Sequence, residues 1–490
     1  MCKASIVSLI LVVKGSKSFT SAIFILITNL IFLTFYMWFF RQNIPIGDDI
    51  IRYVRNIPIV EKLFPQKPAY SIAKENLSKP RKFLINDGSL WMAYYNTDIG
   101  FSPIESRTRK IITGFLSGDV TDVKKTNYST WEAGLESVSI YIEYPVAFST
   151  DMFCRIMGVD NKNAPKEFES LRELIIIPSS NETNICILVR DASNEDSIYA
   201  YILNNKHTLP QTDLAVYASN DGYYEPLFST GLELNSEFLS FSPLVLFSDS
   251  QPETQVLETK NLLGKNSNGA LLESFGFNTV TVNPYEDSDG ALNYIANYAS
   301  AKVFPDSVFE YTAIEENKGI LLDESGDAYN VLNASIDFAE KIWSSVSDEP
   351  LSILVTSDLA DYDPAKPYTF MFDYYESGRP IEVELPAAYG HSQMRCAIEM
   401  TVVNGRLLSY RQYMRSYDAV SSEILADPFI TALDGFIQKI GTDGSSVTVT
   451  DIYIGYLDSG QSDTVHANWL AKASDNRIFR YTSETEVASP

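Results

Sequence analysis

The sequence predicts an α+β protein with one N-terminal transmembrane helix and a multi-domain ectodomain of antiparallel sheets with packed helices. Three observations lead to this prediction. Residues 19–40 form an uninterrupted apolar stretch, many later segments alternate apolar and polar residues as strands do, and a strand–helix–strand order occurs twice after residue 300. A chain of 490 residues is long enough for more than one hydrophobic core.

The segment from Phe19 to Phe40 contains no ionisable side chain apart from Tyr36. At the rise of an α-helix it would span about 33 Å, which is enough for the hydrocarbon layer of a membrane. A cleaved signal peptide is the alternative. The length of the segment argues against it, as do the bulky residues at 38–41, where a cleavage site needs small ones. We therefore expect a tail at 1–18, a transmembrane helix at 19–40 and a juxtamembrane stalk at 41–80.

Charge is distributed unevenly along the chain. Residues 1–41 hold four basic residues and no acidic one, whereas all 63 acidic residues follow, and the net charge is −25. Because basic flanks stay on the cytoplasmic side, we expect a single-pass protein of the cell membrane with its N-terminus inside and its ectodomain outside. An ectodomain this acidic would repel the phosphates of nucleic acid, so no nucleic-acid partner is predicted.

Thr28 and Asn29 lie near the middle of the predicted transmembrane helix. An amide at that depth has no water to bond, which favours a partner on another helix. These two residues are therefore the candidate partner-binding site, either for another membrane protein or for a second copy of the chain. The alternative is that Asn29 is simply tolerated in a single span and has no role.

An N-terminal α/β domain is predicted at 81–206. Phe83–Asn86 and Leu90–Tyr95 form a hairpin around Asp87-Gly88, and Ser106–Leu116 forms a helix. The further strands predicted are Val138–Tyr144, Leu174–Pro178, Ile185–Val189 and Ser197–Leu203.

A middle domain at 207–300 is less regular. Pro243–Phe247 is predicted as a strand, Gly269–Phe275 as a helix and Thr279–Val282 as another strand. The acidic run Tyr285–Gly290 is a conceivable calcium loop. It lacks the ligand spacing of the known calcium loops, which favours a solvated turn.

The first C-terminal α+β unit is predicted at 301–385. Its helix, Asp327–Val346, has apolar residues at helical spacing along one face. The predicted strands around the helix are Val308–Ile320, Leu351–Val355 and Tyr368–Phe372.

The second C-terminal α+β unit is predicted at 386–490. A strand at Cys396–Val402 turns back at Asn404-Gly405, the strongest short hairpin signal, and returns along Leu407–Tyr413. Asp427 and Pro428 begin a helix that Gly441 ends. The alternation of Val447–Tyr456 slips by one residue near Asp451, which predicts a β-bulge. A last hairpin joins 468–473 to 478–481.

Residues with catalytic chemistry are sparse. His391-Ser392 is the only histidine beside a serine, but adjacency alone does not place a base against a nucleophile. With three histidines and four cysteines in the chain, the sequence predicts no catalytic residue, no metal site and no cofactor. A carboxylate pair of the glycosidase type stays open because Asp and Glu are abundant. For Cys154, Cys186 and Cys396, core packing is favoured over a Cys154–Cys186 bridge.

The C-terminal hairpins carry a resemblance to a known family. The segments concerned are Ala397–Arg406, Ser409–Arg411, Thr450–Tyr456 and Ala467–Leu470. They resemble the C-terminal part of the YycH/YycI family, which comprises bitopic regulators of low-GC Gram-positive bacteria. The plan of the whole chain is also similar to that of the family.

The resemblance implies a function and an architecture. The C-terminal units would be PepSY-like or cystatin-like, and the chain would bind and modulate the sensor histidine kinase of a two-component system that controls cell-wall metabolism. It would not be an enzyme. A second YycH/YycI-type regulator is a further candidate partner. An envelope binding protein or protease-inhibitor-like protein is the first alternative, and an anchored cell-wall hydrolase is the second.

Overall fold

A computed structural model describes the chain from residue 71 onwards, with gaps. The described residues are 71–95, 100–178, 184–194, 196–204, 206–218, 226–228, 239–241, 245–247, 253–264, 268–296, 298–376, 378–424, 427–442, 447–473 and 477–481. The predicted tail, the predicted transmembrane helix with Thr28 and Asn29, and most of the predicted stalk lie outside them. No helix among the described residues is both long and apolar enough to cross a membrane.

Seven strands between residues 82 and 203 build an N-terminal antiparallel sheet. They are β1 (Lys82–Asn86), β2 (Trp91–Tyr95), β3 (Val120–Thr126), β4 (Ser139–Ser149), β5 (Ser170–Pro178), β6 (Ile185–Asp191) and β7 (Ile198–Leu203). Their order is β2-β1-β4-β5-β6-β7-β3. The predicted hairpin at Asp87-Gly88 is confirmed, with Gly88 at φ 94° as a tight turn requires. The edge strand β3 was not predicted, because its mostly exposed residues show no buried alternation.

Four helices of the described chain lie between residues 72 and 156, of which the first contacts a strand and a helix of the C-terminal part. They are α1 (Ile72–Leu77), α2 (Phe101–Leu116), α3 (Tyr128–Glu136) and α4 (Thr150–Ile156). Helix α2 begins five residues before the predicted start and buries Ile104, Ile111 and Phe115 in the core. Helix α4 begins at Ser149, whose side chain accepts the amide of Met152. This cap turns the chain directly from the end of β4 into the helix.

The middle of the chain contributes short elements. They are α5 (Gln211–Ala218), β8 (Pro226–Phe228), β9 (Leu239–Phe241), β10 (Val245–Phe247) and α6 (Gly269–Ser274). The strand predicted at Thr279–Val282 is wrong. Asn278 accepts the amide of Val280 with its side chain and the amides of Thr281 and Val282 with its carbonyl, so the segment is a turn. Val280 is 90% exposed, which shows that β-branched residues alone do not make a strand.

Sixteen strands form the C-terminal sheet. Besides β9 they are β11 (Glu253–Asn261), β12 (Tyr285–Glu286), β13 (Leu292–Ile295), β14 (Ala299–Val303), β15 (Val308–Ala313), β16 (Ile320–Leu321), β17 (Ile353–Val355), β18 (Tyr368–Glu376), β19 (Arg379–Val383), β20 (Ile398–Val403), β21 (Arg406–Tyr413), β22 (Arg415–Ile424), β23 (Val447–Asp458), β24 (Thr464–Ala473) and β25 (Ile478–Arg480). The main path runs β12-β13-β14-β15-β21-β20-β18-β19-β23-β24-β11-β22. The pairs β19–β23 and β9–β23 are parallel, and the other pairs are antiparallel.

Two helices pack against the C-terminal sheet, α7 (Ala328–Trp343) and α8 (Phe429–Thr442). Asp327 caps α7 by accepting the amide of Asn330, and the helix predicted at Asp327–Val346 is confirmed. The apolar face of α7 is buried, including Val331, Ile336 and Ile342. The predicted helix over 427–441 is confirmed as α8.

The two strongest local signals in the C-terminal sheet are also confirmed. Asn404 and Gly405 have φ 47° and 68°, the left-handed pair that a two-residue hairpin needs. In β23 the register against β24 shifts between Val449 and Asp451, so the predicted bulge is present.

One apolar core runs through both sheets. It contains Phe83 and Ile142 of the N-terminal sheet together with Phe372 and Ile398 of the C-terminal sheet. A mixed α+β fold dominated by antiparallel strands is therefore confirmed. The division of the ectodomain at residues 206, 300 and 385 stays a prediction.

Candidate functional site

A cleft of about 130 Å³ lies where the N-terminal sheet meets the C-terminal sheet. One side is the connection between α1 and β1, with Lys79, Pro80 and Arg81. The other side is the turn between β18 and β19 together with β23 and β24. Residues from both sheets are therefore needed to form the cleft.

The charge of the lining is opposite to that of the chain. Four lining residues are basic, whereas one is acidic. They are Lys79, Arg81, Arg379 and Lys472 against Glu382. In a chain with 63 acidic and 38 basic residues, this is a local reversal. The cleft is thus an electropositive concavity within a protein that is acidic overall.

The bulge in β23 places Asp451 at the junction between the sheets. The shift of register turns its side chain inward, and only 5% of the side chain is exposed. Asp451 forms an ion pair with Arg81, and its Oδ1 lies 3.9 Å from the Nζ of Lys82. The bulge that the sequence predicts therefore has a structural purpose, because it carries a carboxylate to two cations at the start of β1.

Arg81 and Tyr453 form the floor of the cleft. The guanidinium of Arg81 lies 4.7 Å from the centre of the Tyr453 ring, a cation–π distance. The Tyr453 hydroxyl donates to Glu382. Burial, followed by the charge of Glu382, raises the pKa of Tyr453 well above its usual range, so this hydroxyl remains a donor.

Behind Arg81, a buried ion cluster joins β1, β4 and β5. The Nζ of Lys82 lies 2.8 Å from Oε2 of Glu143, and Arg172 Nη2 lies 3.5 Å from its Oε1. Burial alone would raise the pKa of Glu143, but the charges of Lys82 and Arg172 outweigh it and lower the pKa to about 2. Burial lowers the pKa of Lys82, and Glu143 offsets that shift only in part.

On the other side of the cleft, β18 and β19 bring two buried acids together. Asp373 Oδ1 accepts the amide of Ala397 at 3.1 Å, and the Asp373 side chain is hydrogen-bonded to Glu382. Burial, and then the charge of Glu382, raise the pKa of Asp373 well above its usual range. The raised pKa favours the protonated form of Asp373, in which its carboxyl donates to Glu382.

His391 and Ser392, which the sequence places side by side, do not form a nucleophile and base. His391 is buried, and its Nε2 lies 2.7 Å from Asp306 Oδ2. Its Nδ1 lies 2.8 Å from the backbone oxygen of Ser392. Both ring nitrogens are thus occupied by oxygen atoms, and neither is available to activate a hydroxyl.

The acidic run Tyr285–Gly290 forms a turn. Asp287 Oδ1 accepts the amides of Asp289 and Ala291 and thereby closes the loop on itself. In the part of the chain that the structure describes, no group of three or more His, Cys, Asp or Glu side chains is placed to hold a metal ion.

The three cysteines among the described residues are unpaired thiols. Cys154 and Cys396 are buried and Cys186 is half-buried, and no Cys154–Cys186 bridge is present. Burial raises the pKa of Cys154 and of Cys186 to about 11. The thiols are therefore protonated at neutral pH, which fits the packing role expected from the sequence.

The residues that line the cleft were not predicted from the sequence. Arg81, Asp373 and Glu382 lie within or beside strands in which apolar and aromatic residues predominate. A charged residue inside such a strand is a signal that a buried polar partner exists. The partners of Arg81, Asp373 and Glu382 lie far away along the chain. The sequence pattern therefore indicates that these residues are buried, but it does not identify the residues with which they pair.

Comparisons with known proteins give one structural likeness. No protein-family model matches the chain, and no curated protein matches it. The fold is similar to the crystal structure of YycH from Bacillus subtilis, with a TM-score of 0.53 and 13% sequence identity. The likeness covers 85% of this chain and 98% of that chain. The chain has a YycH-like fold, which confirms at the level of the fold the resemblance seen in the C-terminal hairpins.

Proposed function

We propose that this protein is a membrane-anchored, extracytoplasmic regulator that binds and modulates the sensor histidine kinase of a two-component system controlling cell-wall metabolism. The observation that carries the proposal is the YycH-like fold over 85% of the chain. The lone apolar segment at 19–40 supports it, because it would place this fold outside the membrane beside a membrane-spanning kinase. In this proposal the C-terminal strand–helix–strand units are PepSY-like or cystatin-like, and the chain performs no catalysis.

The proposal assigns different roles to the two parts of the chain. The ectodomain supplies the surface that responds outside the membrane, and residues 19–40 supply the helix that contacts the kinase or a second YycH/YycI-type regulator. Asn29, with Thr28 beside it, is the proposed point of contact, because an amide in the hydrocarbon layer is stabilised by a hydrogen bond to another helix.

Co-purification tests the proposal. Full-length protein is captured from solubilised membranes of a Gram-positive host, and a sensor histidine kinase is expected in the captured fraction. Asn29→Leu is expected to reduce the recovered kinase severalfold. Thr34→Leu is the matched control, because it removes a polar group from the same helix away from its midpoint.

Two outcomes would count against the proposal. If no kinase is recovered with the wild-type chain, the regulatory role fails. If Asn29→Leu and Thr34→Leu recover as much kinase as the wild type, the helix contact fails and the ectodomain must make the association.

A further inference from the structure

We infer that the cleft between the two sheets is a binding site for an anionic ligand that carries a phosphate group next to an apolar part. This inference goes beyond the proposed regulatory function and does not depend on it. It rests on the charge of the lining, on one lysine that has no hydrogen bond or ion pair among the described residues, on the way the nearby acids are engaged, and on the aromatic wall.

The charge of the cleft lining favours a bound anion. The lining has four basic residues and one acidic residue, although acidic residues outnumber basic ones in the chain by 63 to 38. Like charges gathered in a concavity repel one another unless an opposite charge enters. Glu75 beside Lys79 and Asp451 beside Arg81 offset part of that repulsion, and a bound anion would offset more of it.

The surroundings of the Lys472 ammonium also favour a bound anion. Its side chain is half-buried on β24, and among the described residues its ammonium makes no hydrogen bond and no ion pair. Withdrawing a lysine partly from water without a partner is unfavourable. The charge acts on Asp373, but burial and Glu382 raise the pKa of that carboxyl, which makes it a weak partner for a cation. A ligand oxygen in the cleft would give Lys472 the partner that no described residue provides.

The third argument concerns the acids near the cleft. Glu382 accepts the Tyr453 hydroxyl and the proton of Asp373, so its oxygen atoms are engaged by donors. Asp451 is buried against Arg81 and Lys82. Lys79 is likewise paired with Glu75 and Arg81 with Asp451, whereas Lys472 lines the cavity without an ion pair to any described acid.

The fourth argument is shape and polarity. Tyr95, Tyr375 and Tyr453, with Pro80 and Pro380, add aromatic and apolar surface to the lining. The cleft volume of about 130 Å³ is roughly ten times the cavity volume that one water molecule needs. The cleft therefore has room for a phosphate group and part of the molecule attached to it, with arginine and lysine as the natural phosphate binders.

Titration of the full-length protein in phosphatidylcholine nanodiscs tests the inference, with inorganic phosphate and phenyl phosphate as probes. Phenyl phosphate is expected to bind more tightly, because its ring contacts the tyrosine wall. Lys472→Met is expected to weaken its affinity about tenfold, the effect of losing one charge-assisted hydrogen bond. Lys366→Met is the matched control, since Lys366 is exposed, pairs with Asp363 and lies outside the lining; its affinity should equal that of the wild type.

A second variant keeps the test decisive if Lys472→Met does not fold. Thr356→Glu adds a carboxylate to the lining and is expected to abolish binding of both probes. Thermal unfolding of each variant verifies that it is folded. The inference is overturned if neither probe binds saturably to the wild type, or if folded Lys472→Met and Thr356→Glu bind phenyl phosphate as the wild type does.

Nanodiscs of phosphatidylglycerol separate two sources of the phosphate. If the affinity for phenyl phosphate falls in these nanodiscs, a lipid headgroup occupies the cleft. If it is unchanged, the ligand is a soluble phosphate ester. No kinase is present in any arm, so failure here would leave the proposed regulatory function standing, and failure to recover a kinase would leave the binding site standing.

Discussion

Two buried carboxylate clusters, one in each sheet, differ in what stands beside the acid. In the N-terminal sheet, Glu143 faces Lys82 and Arg172, and its pKa falls to about 2. In the C-terminal sheet, Asp373 faces Glu382, and its pKa rises well above the usual range. All three carboxylates are buried in strands.

The comparison shows that burial alone does not decide the charge of a carboxylate. Burial disfavours the ionised form in both clusters, so the difference comes from the neighbours. Two cations overcome the cost of desolvation at Glu143. At Asp373 a second acid adds to that cost, and the pair keeps one proton. The N-terminal cluster is therefore held by opposite charges, whereas the C-terminal pair is held by a shared hydrogen bond.

The largest expected effect comes from breaking the ionic cluster. Lys82→Met leaves Glu143 buried with the Tyr141 hydroxyl at 3.3 Å and Arg172 Nη2 at 3.5 Å, and we expect the free energy of unfolding to fall by about 3–5 kcal/mol. Urea denaturation of the full-length chain in detergent micelles at pH 7 measures it. Lys162→Met, which removes an exposed ion pair, should change stability by less than about 0.5 kcal/mol. Adding Glu143→Leu to Lys82→Met should restore most of the loss; a double variant as unstable as the single one would contradict this account.

Substitution of Asp373 in the Asp373–Glu382 pair should affect stability differently from Lys82→Met. Asp373→Asn keeps an oxygen for the amide of Ala397 and a donor for Glu382, so stability at pH 7 should not fall below that of the wild type. Asp373→Ala loses both bonds and should cost about 2–3 kcal/mol. The same denaturation experiment measures both, with the surface variant Asp363→Asn as control. A loss in Asp373→Asn as large as in Asp373→Ala would show that Asp373 is ionised.

The two clusters should also give pH dependences of opposite sign. The folded-state pKa of Glu143 is lowered from 4.5 to about 2, so its contribution is complete above 4.5 and is lost as the pH falls towards 2. The shift corresponds to about 3 kcal/mol as an order of magnitude. The pKa of Asp373 is raised from 3.8, so its contribution is complete below 3.8 and is lost as the pH rises through the raised value.

Denaturation midpoints between pH 2 and 8 measure these slopes. Glu143→Gln should flatten the rise of stability between pH 2 and 4.5, and Asp373→Asn should flatten the decline above pH 3.8. Finding both slopes intact in the two variants would mean that other groups cause them.

The smallest expected effect concerns the contact between the sheets. Arg81→Lys keeps the charge beside Asp451 but loses the planar group over Tyr453, and we expect a loss of about 0.5–1 kcal/mol. A double-mutant cycle isolates the ring contact. The stability lost by Arg81→Lys is measured in the wild type and again in Tyr453→Leu, and the difference between the two losses is the coupling energy. A coupling energy of zero would show that the stacking does not stabilise the junction.

Local signals in the sequence predicted much of the fold. The turn at Asn404-Gly405, the helix predicted from Asp327 onwards and the bulge before Asp451 each depend on residues near in the chain, and each is confirmed. The pair β11–β22 was not predicted. Its two strands lie more than 150 residues apart and contain few buried apolar residues, so their pairing depends on contacts that no local pattern records.

The sequence could not identify the cleft for the same reason. Lys79 and Arg81 come from the first described connection, whereas Arg379 and Lys472 come from strands some 300 to 400 residues later. The site predicted from the sequence, Thr28 and Asn29, lies outside the described residues and stays a prediction.

By itself, the sequence determined the excess of negative charge, the single long apolar segment and the alternation that makes antiparallel strands with packed helices. Only the tertiary structure decided that four cations of an acidic chain line one cleft, and that the pKa of Glu143 is lowered while that of Asp373 is raised. The physical reason is that secondary structure follows from residues near in the chain, whereas the protonation state of a buried group follows from the charges that folding brings beside it.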